Sequence, residues 1–182
     1  MRIWTSETQY DLGPCAVALG TFDGVHIGHQ ALIRRAMELA RELGAASMVY
    51  TFDRHPLSVL CPERAPRELL TLDEKLRKLE AMGVDGALVK PFTAEFAAME
   101  PVKYLEMLAG EMDARAIVAG FNYTFGAMGR GDAALIRSEA ARLGYRAEIV
   151  DAVRDGEDTV SSTLIRALLD CGEIARARRL MR

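Results

Sequence analysis

The chain has 182 residues, 50% of them hydrophobic and 27% charged, with a formal net charge of -3. That size and apolar content fit one globular domain with a full core, and the near-neutral balance excludes a bulk electrostatic attraction to nucleic acid, so any anionic ligand must be held locally. The amino-terminal MRIWTSETQYDLGP has no apolar leader core and no later run is long enough to span a bilayer, which predicts a cytoplasmic protein without membrane contact.

In chain order, CAVALG from Cys15 reads as a strand, and HQALIRRAMELARELG reads as a helix with Leu32, Ile33, Ala36, Met37, Ala40 and Leu43 at helical spacing and Gly44 to end it. AASMVYTF follows as a strand, then Thr71 with Glu74 as a capping box opening a helix that ends near Gly83. DGALVKPF is a further strand. Pro101 suits the first turn of a helix through Met107, ARAIVAG is a strand, Leu135 to Leu143 a helix, YRAEIVDAV a last strand, and helices close the chain. This alternation predicts an α/β protein with a doubly wound parallel sheet and ligands beyond the carboxyl ends of the strands. Cys15, Cys61 and Cys171 are widely separated and outside any CxxC spacing, which fits reduced thiols.

The stretch GTFDGVHIGH, from Gly20 to His29, lies where the first of these strands gives way to the first helix. Backbone N–H groups and the positive helix end would face the ligand crevice there, which outlines a phosphate site. Gly20, Gly24 and Gly28 permit close approach by a bulky anion, and His26 and His29, one turn apart, would converge on it as two donors. A metal reading has these two ligands but no partner set. In VSSTLIR, Ser161 and Ser162 cap a helix whose first turn carries Thr163 and Arg166, either a second anion cradle or a plain capped surface helix. In GFNYTFG the alternation places Phe121, Tyr123 and Phe125 on one face, as core or as support for a flat ring, with Asn122 and Thr124 opposite. His55, in TFDRHP, follows a strand end, on the ligand edge or in a turn held by Pro56.

His26-Ile27-Gly28-His29 resembles the HxGH signature of the nucleotidyltransferase superfamily with a Rossmann-like fold. The longer GTFDGVHIGHQALI is similar to the N-terminal domain of bacterial FAD synthetases, the bifunctional riboflavin kinase/FMN adenylyltransferases. TFDRHP, GFNYTFGAMGRGD and VSSTLIR agree with that family in order and spacing, so the resemblance spans nearly the whole chain. It implies one nucleotidyltransferase domain over residues 1–182 that transfers AMP from ATP to FMN, giving FAD and pyrophosphate by in-line attack without a covalent intermediate. By the same resemblance His26, His29 and Arg166 are the catalytic donors. Gly20, Phe22, Asp23, Gly28, Ser162 and Thr163 bind ATP, and His55, Phe121, Asn122 and Tyr123 bind FMN. Mg2+ arrives mainly on the ATP phosphates, with no protein ligand set.

Two departures fall in the flavin segments: Arg54 stands where the family frequently has proline, and Asn122-Tyr123-Thr124 replaces a frequent Asp-Phe-Arg. The family's riboflavin kinase domain, a β-barrel, would follow the closing helix and is not in this sequence, so no kinase activity is expected and a separate riboflavin kinase becomes a candidate partner. Two other functions stay open, the same transfer onto another phosphorylated cofactor precursor and a flavin- or nucleotide-binding module without catalysis. The basic tail RARRLMR lies near a helix carboxyl end, where cations are favoured anyway, and has no interleaved aromatics for base stacking, so no nucleic-acid partner is expected.

Overall fold

The computed structural model describes residues 1–182. Six strands form one all-parallel sheet: β1 (Arg2–Trp4), β2 (Cys15–Leu19), β3 (Ala46–Phe52), β4 (Gly86–Lys90), β5 (Ala114–Gly120) and β6 (Arg146–Val150), in the spatial order β1-β4-β3-β2-β5-β6. Between and after them run α1 (Ile27–Leu43), α2 (Leu57–Leu60), α3 (Leu72–Ala81), α4 (Ala94–Ala97), α5 (Pro101–Glu111), α6 (Ala133–Leu143), α7 (Ser162–Asp170) and α8 (Ile174–Leu180). A two-residue hairpin, β7 (Arg154–Asp155) with β8 (Asp158–Thr159), leads into α7. This is the expected Rossmann-like α/β architecture.

Every residue of β2 is buried, and the strand's period of two divides the core. Cys15, Val17 and Leu19 enter a cluster with Tyr104, Leu105 and Leu108 of α5 and Ile136 of α6. Ala16 and Ala18 face the other side, where Leu32, Ile33, Ala36, Leu39 and Ala40 of α1 pack with Leu79 of α3. Side chains of that kind contribute on the order of 2 kcal/mol each when buried, which is what makes the helical spacing of α1 decisive. Gly44, at φ 61, ends α1 in the left-handed region. The chain runs from β2 outward through β3 to β4, then returns to place β5 on the other flank of β2, so the strand order reverses beside β2. A crevice therefore opens beyond its carboxyl end.

Three local expectations change. The sheet starts with Arg2–Trp4, not at Cys15, because this short edge strand is defined by its pairing with Gly86, Ala87 and Leu88 rather than by its own pattern. The helix from Pro101 continues past Met107 to Glu111. GFNYTFG is not a strand: the chain turns directly after β5, with the Tyr123 amide bonded to the Gly120 carbonyl at 3.0 Å. Phe121 stays 48% exposed, while Phe125 is buried and Tyr123 packs against it, so the three rings do not share one face. The arginines of the basic tail are partly used within the fold, since Arg176 and Arg179 both pair with Asp155 and tie α8 to the β7–β8 hairpin.

Gly86 tests the tightest part of this packing. A Cβ there would lie 2.5 Å from Trp4 Cζ3 and 2.7 Å from Met48 Sδ. Gly86→Ala should therefore cost about 1–3 kcal/mol of stability, the scale of an overpacked core, visible in urea unfolding, whereas Gly110→Ala, with open space at its Cβ, should not destabilise.

Candidate active site

A cavity of about 820 Å³ opens at the carboxyl ends of β2, β3, β5 and β6, where Leu19, Phe52, Gly120 and Val150 reach its wall. Of the residues singled out by sequence, Gly20, Phe22, His26, Gly28, His29, His55, Phe121, Asn122, Tyr123, Ser162, Thr163 and Arg166 all line it. Asp23 does not. It borders a smaller polar cavity with Asp53, Arg54, His55, Glu68 and Lys75.

The first wall is the mouth of α1. His26 is the N-cap, and its Nδ1 accepts a hydrogen bond from the His29 amide at 3.2 Å. An imidazole that accepts at Nδ1 carries its proton at Nε2 when neutral, which leaves a donor for a ligand. Gly28 makes this possible, because a Cβ at that position would meet the His26 ring at 3.2 Å. The two imidazoles stack at a centroid distance of 3.6 Å and 16° between planes, and Phe22, itself fully buried, backs His29 edge-on at 5.3 Å. Phe22 and Val25 adopt φ 50 and 40, the left-handed region that non-glycine residues seldom occupy. That backbone conformation folds the Phe22 ring back over Gly20, where a Cβ would come within 3.0 Å of Phe22 Cζ.

Burial sets the charge of this pair. His26 is only 4% exposed, and burial lowers its pKa to about 4, with its own backbone hydrogen bond opposing. His29 is held well below the ordinary value by burial, by His26 and by Lys75. Both are neutral in the free protein at pH 7, so each ring carries one N–H donor and no positive charge. His29 Nδ1 has no hydrogen-bond partner. A bare lone pair is tolerated there more readily than an unpaired N–H, which places this ring's proton at Nε2 as well. His55 repeats the pattern, accepting from the Leu57 amide at 3.1 Å through Nδ1, with its pKa lowered by burial and by Arg166.

The second wall is the mouth of α7. Ser161 caps it by accepting from the Leu164 amide at 3.1 Å. Ser162 Oγ donates to the Asp23 carbonyl at 2.8 Å, and exposed Thr163 and partly buried Arg166 line the cavity with it. The two mouths adjoin: a Cβ on Gly28 would sit 3.6 Å from the Val160 carbonyl oxygen, one residue before the Ser161 cap. The first-turn amides of Ile27 and Gly28 in α1 and of Ser162 and Thr163 in α7 have no intrahelical acceptor by position, so two donor-rich helix ends open on one space.

The floor is aromatic. Phe52, Phe92, Phe96, Tyr104 and Phe125 form a chain of ring contacts 5.1 to 5.9 Å apart beneath the cavity. Tyr123 stacks on Phe125 and shares a 3.5 Å contact between its hydroxyl and that of Tyr104. Leu60 and Met128, 56% and 89% exposed, line the cavity together with Phe121. Phe96, Leu60 and Tyr104 were not singled out by sequence, since each sits in a segment without a motif, and Met128, although within GFNYTFGAMGRGD, carries no polar or aromatic group to mark it. Lys75 was also missed. It occupies a core-facing position of α3, one turn from buried Leu79, and donates to Thr21 O, Thr51 Oγ1 and Phe52 O at 3.2, 3.2 and 2.9 Å. Burial lowers its pKa to about 8 against the pull of Asp23, Glu68 and Asp53. A lysine on the apolar stripe of α3 was the available signal.

Residues 8–164 match the profile of the family described as FAD synthetase. The chain belongs to the FAD synthetase family. It is 36% identical over 166 residues to the bifunctional riboflavin kinase/FMN adenylyltransferase of Listeria monocytogenes, an alignment covering 91% of this chain and 52% of that protein. The Bacillus subtilis protein of the same description is 32% identical over 167 residues, with 91% and 52% covered, so the chain spans about half the length of these curated relatives. A relative from Geobacillus thermodenitrificans, 35% identical over 175 residues, is covered over 92% of its length. Among solved structures, one described as a macrolide-efflux protein from Streptococcus pneumoniae superposes with a TM-score of 0.84 at 29% identity, covering 99% of this chain and 60% of that one. No helix of the present chain is long and apolar enough to cross a membrane. Pantothenate synthetase from Thermus thermophilus, at TM-score 0.53 and 18% identity over 100% of this chain and 80% of that one, shares the fold.

The buried neutral His26 has a consequence for stability. Its pKa is about 4 in the folded state against 6.5 when free, so the unfolded chain takes up the proton first as pH falls through that window. Stability present above pH 6.5 is thus lost toward pH 4, by roughly 3 kcal/mol at most from this residue. His26→Asn keeps an N-cap acceptor but cannot titrate. In urea melts at neutral and acid pH it should lose about 1–3 kcal/mol less than the parent, and an equal loss in both proteins would contradict the buried neutral assignment.

Proposed function

We propose that this chain is an FMN adenylyltransferase, one nucleotidyltransferase domain that joins the AMP part of ATP to FMN and releases pyrophosphate. The observation that carries the reading is the meeting of two helix mouths, one with His26 and His29 and one with Ser162, Thr163 and Arg166, on a cavity whose other wall is aromatic. A volume of about 820 Å³ is large enough for a nucleotide and a second flat substrate together. The family membership supports FMN as that substrate, with His55, Phe121, Asn122 and Tyr123 on its side. Gly20 and Gly28 keep the ATP side open to close approach, and Phe22 acts as the backing of His29.

The chemistry asks for positioning rather than proton abstraction. A phosphate monoester has a second pKa near ~6 and is already an adequate nucleophile at neutral pH. The residues must bring two anions together in line and stabilise the charge that moves onto the departing pyrophosphate. Neutral imidazole N–H donors at His26 and His29 do this without drawing water into the site, and Arg166 supplies the fixed positive charge. In this reading Mg2+ enters with ATP as the Mg·ATP substrate. FMN reaches the site as the product of a riboflavin-phosphorylating reaction.

Incubation with ATP, MgCl2 and FMN should yield FAD and pyrophosphate in equal amounts, read by chromatography and a coupled pyrophosphate assay. His29→Ala and the cap-preserving His26→Asn should each lower kcat by roughly 10²–10³, the cost of one preorganised donor, with FMN affinity little changed. Asn122→Ala should weaken FMN binding more than ATP binding in a flavin-fluorescence titration. Normal turnover in both histidine variants would remove them from the mechanism. Pyrophosphate release with a different phosphorylated acceptor, and none with FMN, would move the assignment to that acceptor.

A further inference from the structure

Three chain segments meet at Asp23, which does not itself line the large cavity. Its Oδ1 accepts from the Leu69 amide at 2.8 Å, its Oδ2 accepts from Arg166 Nη2, and its backbone carbonyl accepts from Ser162 Oγ at 2.8 Å. Arg166 is also held from the 65–70 segment, donating through Nε to the Arg67 carbonyl at 2.7 Å. A guanidinium has five N–H donors in a fixed fork. Here Nε and Nη2 are taken from behind, Nη1 is left without a partner in the chain, and Arg166 lines the cavity.

A carboxylate facing a triphosphate would repel it. Asp23 instead turns into the smaller polar cavity and spends its charge on the one arginine that reaches the phosphate path. The side chains of the pair are only 10% and 18% exposed, so the interaction is weakly screened by solvent. A free arginine would lose rotamer entropy on gripping a phosphate, and the clamp removes much of that loss beforehand.

Resting on the nucleotidyl-transfer reading, we propose that Asp23 is a positioning residue. Its carboxylate aims the free edge of Arg166 at the leaving pyrophosphate, and its carbonyl holds the α7 mouth against the histidine loop.

A kinetic double-mutant cycle tests this. Asp23→Asn keeps the acceptor for the Leu69 amide and should lower kcat on the order of 10²-fold, the scale of a misplaced group, with FMN affinity and thermal midpoint little changed. In an Arg166→Ala background the same substitution should add nothing. Losses that multiply across the two sites, or an unchanged kcat in Asp23→Asn alone, would overturn the proposal, because a merely structural truss would still be felt without Arg166. Should Asp23→Asn fail to fold, Asp23→Glu enters the same cycle, with a partial loss that must also vanish without Arg166. Failure of wild-type protein to make FAD would sink the transferase reading separately. Calorimetric ATP binding to the same four proteins then decides the proposal alone: Asp23→Asn must weaken ATP binding when Arg166 is present and leave it unchanged when Arg166 is absent.

Discussion

One hydrogen bond organises the site: the Nδ1 lone pair of His26 accepts the amide of His29. It caps α1, the helix whose apolar face fills one side of the sheet. It fixes the His26 tautomer, so that the remaining ring nitrogen is a donor. It also lays one imidazole over the other at 3.6 Å, an arrangement in which two positive charges could not coexist cheaply. Helix initiation and ring orientation thus follow from a single contact, and the missing side chain of Gly28 is what allows the ring to lie there.

The rest of the active end can be understood as support for that contact. Phe22 and Val25 hold unfavourable backbone angles, and Phe22 uses its conformation to back His29. Such strain persists only where surrounding structure over-determines it, and here the loop is tied to α7 through Ser162 and to the 65–70 segment through Asp23. Lys75 braces the same ends of β2 and β3 from beneath, with three hydrogen bonds to Thr21, Thr51 and Phe52. In the proposed transfer, the fixed charge of Arg166 and the neutral imidazoles divide the work: one supplies charge, the others direction.

What was legible in the sequence was what is local. Thr71 and Glu74 form their capping box because both partners lie within one turn, and Gly44 ends α1 for the same reason. The HxGH and SSTLIR segments announced the two helix mouths, and both open on the cavity. The alternation in GFNYTFG misled because the chain turns at once after Gly120, and period two has meaning only in extended backbone. The Arg2–Trp4 strand draws its identity from β4, some 84 residues away in register. The link from Asp23 to Arg166 crosses 143 positions, and no pattern within either segment specifies it. The neutrality of the histidines likewise comes from burial by distant segments, which residue type alone does not reveal.

The central claim is that two neutral imidazoles on the α1 mouth present Nε2–H donors to the nucleotide phosphates. Long-range ¹H–¹⁵N correlation spectra of the imidazole rings at pH 7 report tautomer and ligand contact directly. The free protein should show His26 and His29 neutral with the proton at Nε2, and addition of Mg·ATP without flavin should shift both Nε2 signals, while FMN alone leaves them in place. Protonated rings in the free protein, or Nε2 signals indifferent to the nucleotide, would contradict the account.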